Sequence, residues 1–349
     1  MAGNEAPPGV GFAVHNDSNG SRVIARSPTD GRGLEARFKV RDAASYDPVV
    51  AAFDRLSERY TAALAERLVE LASLVQGERV LDVATGTGVV ASTAARQCGG
   101  SRVVGVDLSA GMVRRAQQKA LSAAWVRPPE WLRADGERLA LQDRSFDAVL
   151  SLYGLLHFPR PELALAEMHR VLRPGGRVVI AIGAGPPRLS LAGWVDGVRR
   201  LWALVQRRRG RLLEAPHLLH RLLDEHLSAG VEPEETPLAR RPGRRVGALS
   251  HLLRGAGFCR VRCSWQGHQP RIATAGEFWQ IQSTFSSRAR KRLAAAPEGA
   301  VAEIRREFFA ACERVLRCGG RLVYPYAALF VSGVRASGGW AEREQGRTV

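Results

Sequence analysis

The sequence predicts an α/β fold: a doubly wound, mostly parallel seven-stranded sheet with a helical cap insertion. Three observations predict it. Short runs rich in β-branched residues, without polar alternation, read as strands covered on both faces. Amphipathic stretches at helical spacing lie between them, so strand and helix alternate and right-handed parallel crossovers follow. That rhythm breaks after residue 183 and returns near residue 257, with helical, arginine-rich sequence between.

Taken in order, residues 1–42 are rich in Gly, Pro, Asn, Asp and Ser with little periodicity, and read as a flexible tail. From residue 43 a core unit is expected to run to 183. It opens with "YDPVVAAFDRLSERYTAALAERLVELASLV" (46–75), where Val50, Phe53, Leu56, Tyr60, Leu64, Leu68 and Leu71 recur at helical spacing and predict two consecutive helices. Strands follow at 79–83, 102–107, 130–135, 146–154 and 177–182, with helices from about 87, over 109–120 and over 161–172. Pro161 suits the first turn of the last of these, and "RPGG" (173–176) stops it. Residues 184–256 are expected to form the cap, over the C-terminal edge of the sheet where such folds bind ligands. Residues 257–335 then complete the sheet, with strands at 258–266 and 327–334 and helices over 275–317, and 336–349 read as a second tail.

With 349 residues, 45% of them hydrophobic, the chain can bury one large core or a core plus an appendage. Its formal net charge of +17 suits nucleic acid, an anionic membrane or an acidic substrate. The excess is mostly arginine, spread over "RRLWALVQRRRGR" (199–211) and "ARRPGRR" (239–245), a bias that a GC-rich genome produces equally well. The five cysteines form an irregular set that suggests free thiols in a reducing compartment; Cys259 and Cys263 match no strong zinc spacing. There is no basic start followed by an apolar run, and no stretch of the roughly 18 apolar residues a spanning helix needs, so a cytoplasmic location is expected.

"GTGVVA" (86–91), after the first core strand, satisfies G-x-G-x-x-G/A, and Asp107 ends the next strand, as a dinucleotide site requires. Asp82 argues against that reading. A pyrophosphate is held by bare N–H groups at a helix N-terminus, and a carboxylate beside it repels it. A ligand with an ammonium and a sulfonium gains instead, and S-adenosylmethionine is such a ligand. It asks for an acceptor pair for its ribose diol, which Asp107 supplies, and an apolar adenine slot, for which Leu108 and Met112 are placed. "ADGE" adds Asp135 and Gly136 for the adenine edge.

"VLDVATGTG" (80–88), "VVGVDLSAGM" (103–112), "RADGERLALQDRSFDAVLSLYGLLHF" (133–158) and "VLRPGGRVVIA" (171–181) resemble, in order and spacing, the motifs of class I S-adenosylmethionine-dependent methyltransferases. The chain is most similar to the ubiquinone/menaquinone-biosynthesis type and its small-molecule relatives, over 50–182 and, less closely, over 254–334 with "GAGFCRVRC" and "GEFWQIQSTFSS". Two departures stand out: Ala84 replaces the first glycine of the turn, and Leu152 stands where the quinone-type enzymes tend to carry Ser. The resemblance implies that Asp82, Ala84, Gly86 and Gly88, with Thr85 and Thr87 between them, border the methionine part of the cofactor. It implies Asp107 for the ribose, and Asp135 with Gly136 for the adenine.

Methyl transfer is an in-line displacement at an activated carbon, so the protein supplies alignment and a dry site, and no metal is required. A phenolic or enolic acceptor benefits from a general base. His157, just past the fourth strand, is the best-placed base, with a packing histidine as the alternative; Tyr153 is expected to wall the same site. His217, His220, Asp224 and His226 share a segment dominated by Leu218, Leu219, Leu222 and Leu223, which favours an amphipathic cap helix over a metal site. Phe278, Trp279 and Tyr60 suit an acceptor pocket or a packed core equally. The expected partner is a small-molecule acceptor, phenol, enol or quinone-like, methylated on oxygen or carbon. Action on RNA is supported by charge alone, and "SLYGLLHF" lacks the Asn/Asp-Pro-Pro-aromatic stretch of base-modifying enzymes. A non-catalytic scaffold would be free to lose Asp82, Asp107 and Asp135, and all three are present.

Overall fold

The computed structural model describes residues 14–16, 22–24, 33–186, 190–227, 236 and 245–337. The arginine-rich stretch 239–245, all but its last residue, and most of both expected tails lie outside the described residues.

The chain opens with two short strands, β1 (Val14–Asn16) and β2 (Arg22–Ile24), and helix α1 (Gly33–Ala44). A short 3-10 turn leads into α2 (Val50–Tyr60) and α3 (Ala62–Ala72). The alternating unit then runs β3 (Arg79–Val83), α4 (Val89–Gln97), β4 (Arg102–Asp107), α5 (Ala110–Leu121), β5 (Glu130–Arg133), β6 (Phe146–Leu152), α6 (Pro161–Val171) and β7 (Leu172–Gly183). After it come α7 (Leu191–Arg208), β8 (Leu212–Glu214), α8 (His217–His226) and α9 (Arg245–Gly255). The chain closes with β9 (Phe258–His268), β10 (Arg271–Ile272), α10 (Ala275–Phe285), α11 (Ser287–Ala295), α12 (Glu298–Arg317), β11 (Arg321–Val323) and β12 (Tyr326–Arg335).

The main sheet has the order β1-β2-β5-β4-β3-β6-β7-β12-β9. Its last seven members are the expected strands, parallel from β5 to β7, with β12 antiparallel to both β7 and β9. The hairpin β1–β2 extends the β5 edge. Chain order reverses at β3, which pairs β4 on one side and β6 on the other, so the turns leaving these three strands flank a switch point where doubly wound sheets bind ligands. Both faces are covered. Leu81, Val83, Val149, Ile180 and Met168 lie in one core, and Leu64, Leu68, Val80, Leu150 and Phe330 in the other.

The described elements cross two of the expected boundaries. Residue 42 falls inside α1, so the expected tail ends in a helix. Helix α9, assigned to the cap, buries Leu249 and Leu253 against the main sheet and is part of the α/β unit. The rest of the cap does not stand alone. A separate core joins Leu56 and Tyr60 of α2, the α8 leucines, Phe278, Ile281, Ile304, Phe308 and Leu322. A second sheet, β10-β11-β8, ties the two halves together. The cap is therefore composite, its core shared by α2, α8 and the segment from Ile272 to Leu322.

Candidate functional site

Between the main sheet and this composite cap lies a cavity of about 1040 Å³. At its sheet end are Asp82, Ala84, Thr85, Gly86, Thr87, Asp107, Leu108, Met112, Asp135 and Gly136, all anticipated from sequence. Gly88 is not among the lining residues. It caps α4 at φ 85°, and a Cβ there would meet the Trp131 ring at 2.4 Å, so its role is the turn and the packing beneath it.

Asp82 is fully buried at the end of β3. Its Oδ2 accepts the Thr85 hydroxyl at 2.5 Å and the Ala91 N–H at 3.1 Å, which ties the turn to the first turn of α4. Its Oδ1 has no hydrogen-bond partner among the described residues. Burial pushes this carboxyl up, the bonds from Thr85 and Ala91 pull it back, and nearby Asp107 adds to the rise, which leaves it at about 7. Ala84 sits at φ 58°, in the left-handed region, and its methyl is accommodated by Gly154: a Cβ on that glycine would lie 2.5 Å from it. The departure from glycine at 84 thus has a partner across the turn.

Asp107 closes β4 with each oxygen accepting one backbone N–H, Gly86 to Oδ2 at 2.8 Å and Ser109 to Oδ1 at 2.9 Å. Each oxygen keeps a further lone pair, and Ser109 itself caps α5 by accepting from Met112 N. Burial raises the Asp107 carboxyl, and these N–H bonds oppose the rise. Asp135 accepts the Glu137 N–H on Oδ1 and pairs on Oδ2 with Lys39 of α1, whose Nζ also meets Glu137 at 2.9 Å. Gly136 packs on Phe158, whose ring a Cβ would meet at 2.5 Å. Leu108, Met112 and Phe158 supply apolar lining to the cavity.

His157 and Tyr153 both line the cavity. Tyr153, at φ 63°, donates its hydroxyl to the Ala327 carbonyl at 3.2 Å, and burial pushes that hydroxyl far up: it is a wall. His157 Nδ1 lies 2.8 Å from Asp42 Oδ2, and its Nε2 lies 3.3 Å from the Tyr46 hydroxyl. Asp42 is buried and also accepts Lys291 at 2.5 Å. Burial alone would raise its carboxyl, but His157 and Lys291 hold it well below the ordinary range. An ionised carboxylate only accepts, so Nδ1 of His157 carries the hydrogen and Nε2 is the basic nitrogen. Burial pushes Tyr46 up to about 12, against the Arg290 guanidinium stacked 3.7 Å from its ring centroid.

The far end is aromatic. Tyr324 packs edge-on to Tyr60 at 5.6 Å and stacks on Phe285 at 6.0 Å, and His268 stacks on Tyr326 at 5.1 Å. Tyr60 donates to Glu277 at 2.7 Å. Phe278 and Trp279 take the packing alternative, against Phe308. Of the α8 group, His217 lines the cavity, His220 meets Ser286, Asp224 pairs with Arg288 and Arg292, and His226 meets Glu307. Cys259 and Cys263 bond to the Val334 carbonyl and the Ser250 hydroxyl, respectively.

Sequence reasoning missed Lys39, Asp42, Tyr46, Tyr324 and Tyr326. The paired tyrosines of "YPY" (324–326), just before the last strand, were the available signal. For Asp42 there was none, since its partner is 115 residues away.

Residues 81–180 match the family model described as a methyltransferase domain. A demethylmenaquinone methyltransferase of Clavibacter sepedonicus is 32% identical over 227 residues, 62% of this chain and 82% of that protein. A ubiquinone/menaquinone biosynthesis C-methyltransferase of a Bradyrhizobium species is 31% identical, over 58% of this chain and 73% of its own length. A nocamycin O-methyltransferase of Saccharothrix syringae is 30% identical, over 62% and 72%.

Proposed function

The chain belongs to the class I S-adenosylmethionine-dependent methyltransferases, in the family of the ubiquinone/menaquinone-biosynthesis enzymes, and from that premise we propose that it methylates a small phenolic, enolic or quinone-like acceptor with His157 as base. Its cofactor is S-adenosylmethionine. The residues present fit that group. The unpartnered, buried Asp82 Oδ1 suits an ammonium, the spare lone pairs of Asp107 suit a ribose diol, and the apolar lining of Leu108, Met112 and Phe158 suits a flat ring. When bound, the cofactor supplies a methyl carbon activated by its sulfonium.

The observation that carries the acceptor reading is the 2.8 Å Asp42–His157 pair, set in the cavity wall between the glycine turn and the aromatic end. His157 takes the acceptor's hydroxyl proton at Nε2, which gives up its contact with the Tyr46 hydroxyl as the acceptor enters, while Asp42 holds Nδ1–H and balances the imidazolium. Deprotonation enriches both the oxygen and the adjacent ring carbon, so one base serves O- or C-methylation. Tyr60, Tyr324 and Tyr326 hold a planar acceptor by ring contacts, and Tyr153 keeps water from the transfer path. The five free cysteines fit a reducing, cytoplasmic setting.

The test is incubation of the full chain with methyl-labelled cofactor and a panel of naphthols, catechols and quinols, with total RNA in parallel. Label should appear in an aromatic hydroxy compound. Incorporation into RNA alone would overturn the acceptor reading.

A further inference from the structure

Helix α7 is amphipathic in the wrong sense for a helix that only covers a core. Leu191, Trp194, Val198, Leu201, Trp202 and Val205 follow i, i+3, i+4, i+7 spacing and form one stripe, and they are between 42% and 80% exposed. The polar face borders the cavity: Asp196 and Arg199, partly covered, and Arg200 and Arg207, more exposed, all line it, where Asp196 pairs with Arg199 and Arg200, and Arg207 with Glu214 of β8. Only Ala203 of this helix is buried. A soluble helix ordinarily buries such a stripe, so this one has an outside partner.

We infer that α7 docks the protein on the surface of an anionic lipid bilayer, with its apolar stripe in the headgroup region and the cavity opening beneath it. The charge favours lipid over a second copy of the chain. Arg208, Arg209 and Arg211 are exposed where the stripe ends, and the chain carries a net +17, so two copies brought face to face would repel while anionic headgroups attract. Trp194 and Trp202 within the stripe are the residue type that sits at headgroup level. No helix among the described residues is long and apolar enough to cross a membrane, so α7 lies on the surface. Because its inner face roofs the cavity, an apolar acceptor passes from lipid to the site without crossing bulk water. The docking stands whatever acceptor is methylated.

The test is co-sedimentation of the full-length protein with phosphatidylglycerol/phosphatidylcholine vesicles and with pure phosphatidylcholine vesicles. Tryptophan emission should shift to the blue on binding. Partitioning should favour the anionic vesicles, weaken with added salt, and fall at least about tenfold in the double variant Val198→Glu/Leu201→Glu. Neither residue lines the cavity, so that variant should keep its affinity for S-adenosylhomocysteine, which also reports that it is folded. Three results would each overturn the inference: no binding to anionic vesicles, binding that the double variant leaves unchanged, or a solution dimer that the same substitutions dissolve.

Discussion

Replacing Asp82 by Asn tests the electrostatic core of the site. An amide oxygen at the Oδ2 position still accepts from Thr85 and Ala91, so the turn keeps its shape. At Oδ1, which has no partner among the described residues, a donor replaces an acceptor and, on the proposed placement, faces the cofactor's ammonium. A hydrogen bond to a charged group is worth about 1.5–3 kcal/mol, so affinity should drop by roughly tenfold to 150-fold. The wild-type carboxyl stands at about 7 in the empty site and must ionise to hold a cation. Affinity should therefore rise about tenfold from about pH 6 to about pH 8, with a proton released on binding at the acid end; in the Asn variant it should be flat. Stability carries the opposite sign. The folded value lies above the ordinary 3.8, so between roughly pH 4 and pH 7 the unfolded chain binds fewer protons than the folded one. Stability of the empty protein falls as pH rises through that window and levels above it, and the Asn variant lacks this slope. Calorimetry with S-adenosylhomocysteine in buffers of different ionisation enthalpy reads the first effect, and melting curves read the second. Equal affinity of the two proteins, or a wild-type affinity indifferent to pH, would refute the reasoning.

Three further outcomes are expected. His157→Ala should lower turnover at least about tenfold with cofactor affinity unchanged, and Asp42→Asn should lower it in the same way by freeing the ring; single-turnover rates beside calorimetry check both. Gly154→Ala pushes a methyl against Ala84 and should cost about 1–3 kcal/mol in urea unfolding, and adding Ala84→Gly should restore about 1 kcal/mol or more; strict additivity would show that the two positions do not touch. Lys39→Met leaves Asp135 and the nearly buried Glu137 without their cation, and about 2 kcal/mol should be lost, less than for a fully buried pair because Asp135 is 28% exposed. The melting temperature, and protease cleavage within α1, would report it.

Much of the α/β unit was legible because its signals are local. A strand covered on both faces must be a short apolar run, and a helix between strands must repeat its apolar residues near every fourth position. The sheet end of the cavity was legible for a related reason: Asp82 and Asp107 lie at the ends of β3 and β4, and Gly86 and Gly136 lie in the turns that follow β3 and β5, where strand and turn decide what a side chain faces. Gly88 shows the limit even there, since the motif suggests contact with ligand while the Trp131 ring explains the residue.

The amino-acid sequence by itself determined the strand–helix order, the acids at the tips of β3 and β4, and the kind of cation they suit, all properties of residues within a few positions of one another. Tertiary structure alone decided that Asp42 of α1 clamps His157, that Tyr60 meets Tyr324, and that the stripe of α7 faces outward. Those contacts join segments far apart in the chain, and which of them form depends on how apolar surface is shared among all the helices at once, which no local spacing encodes.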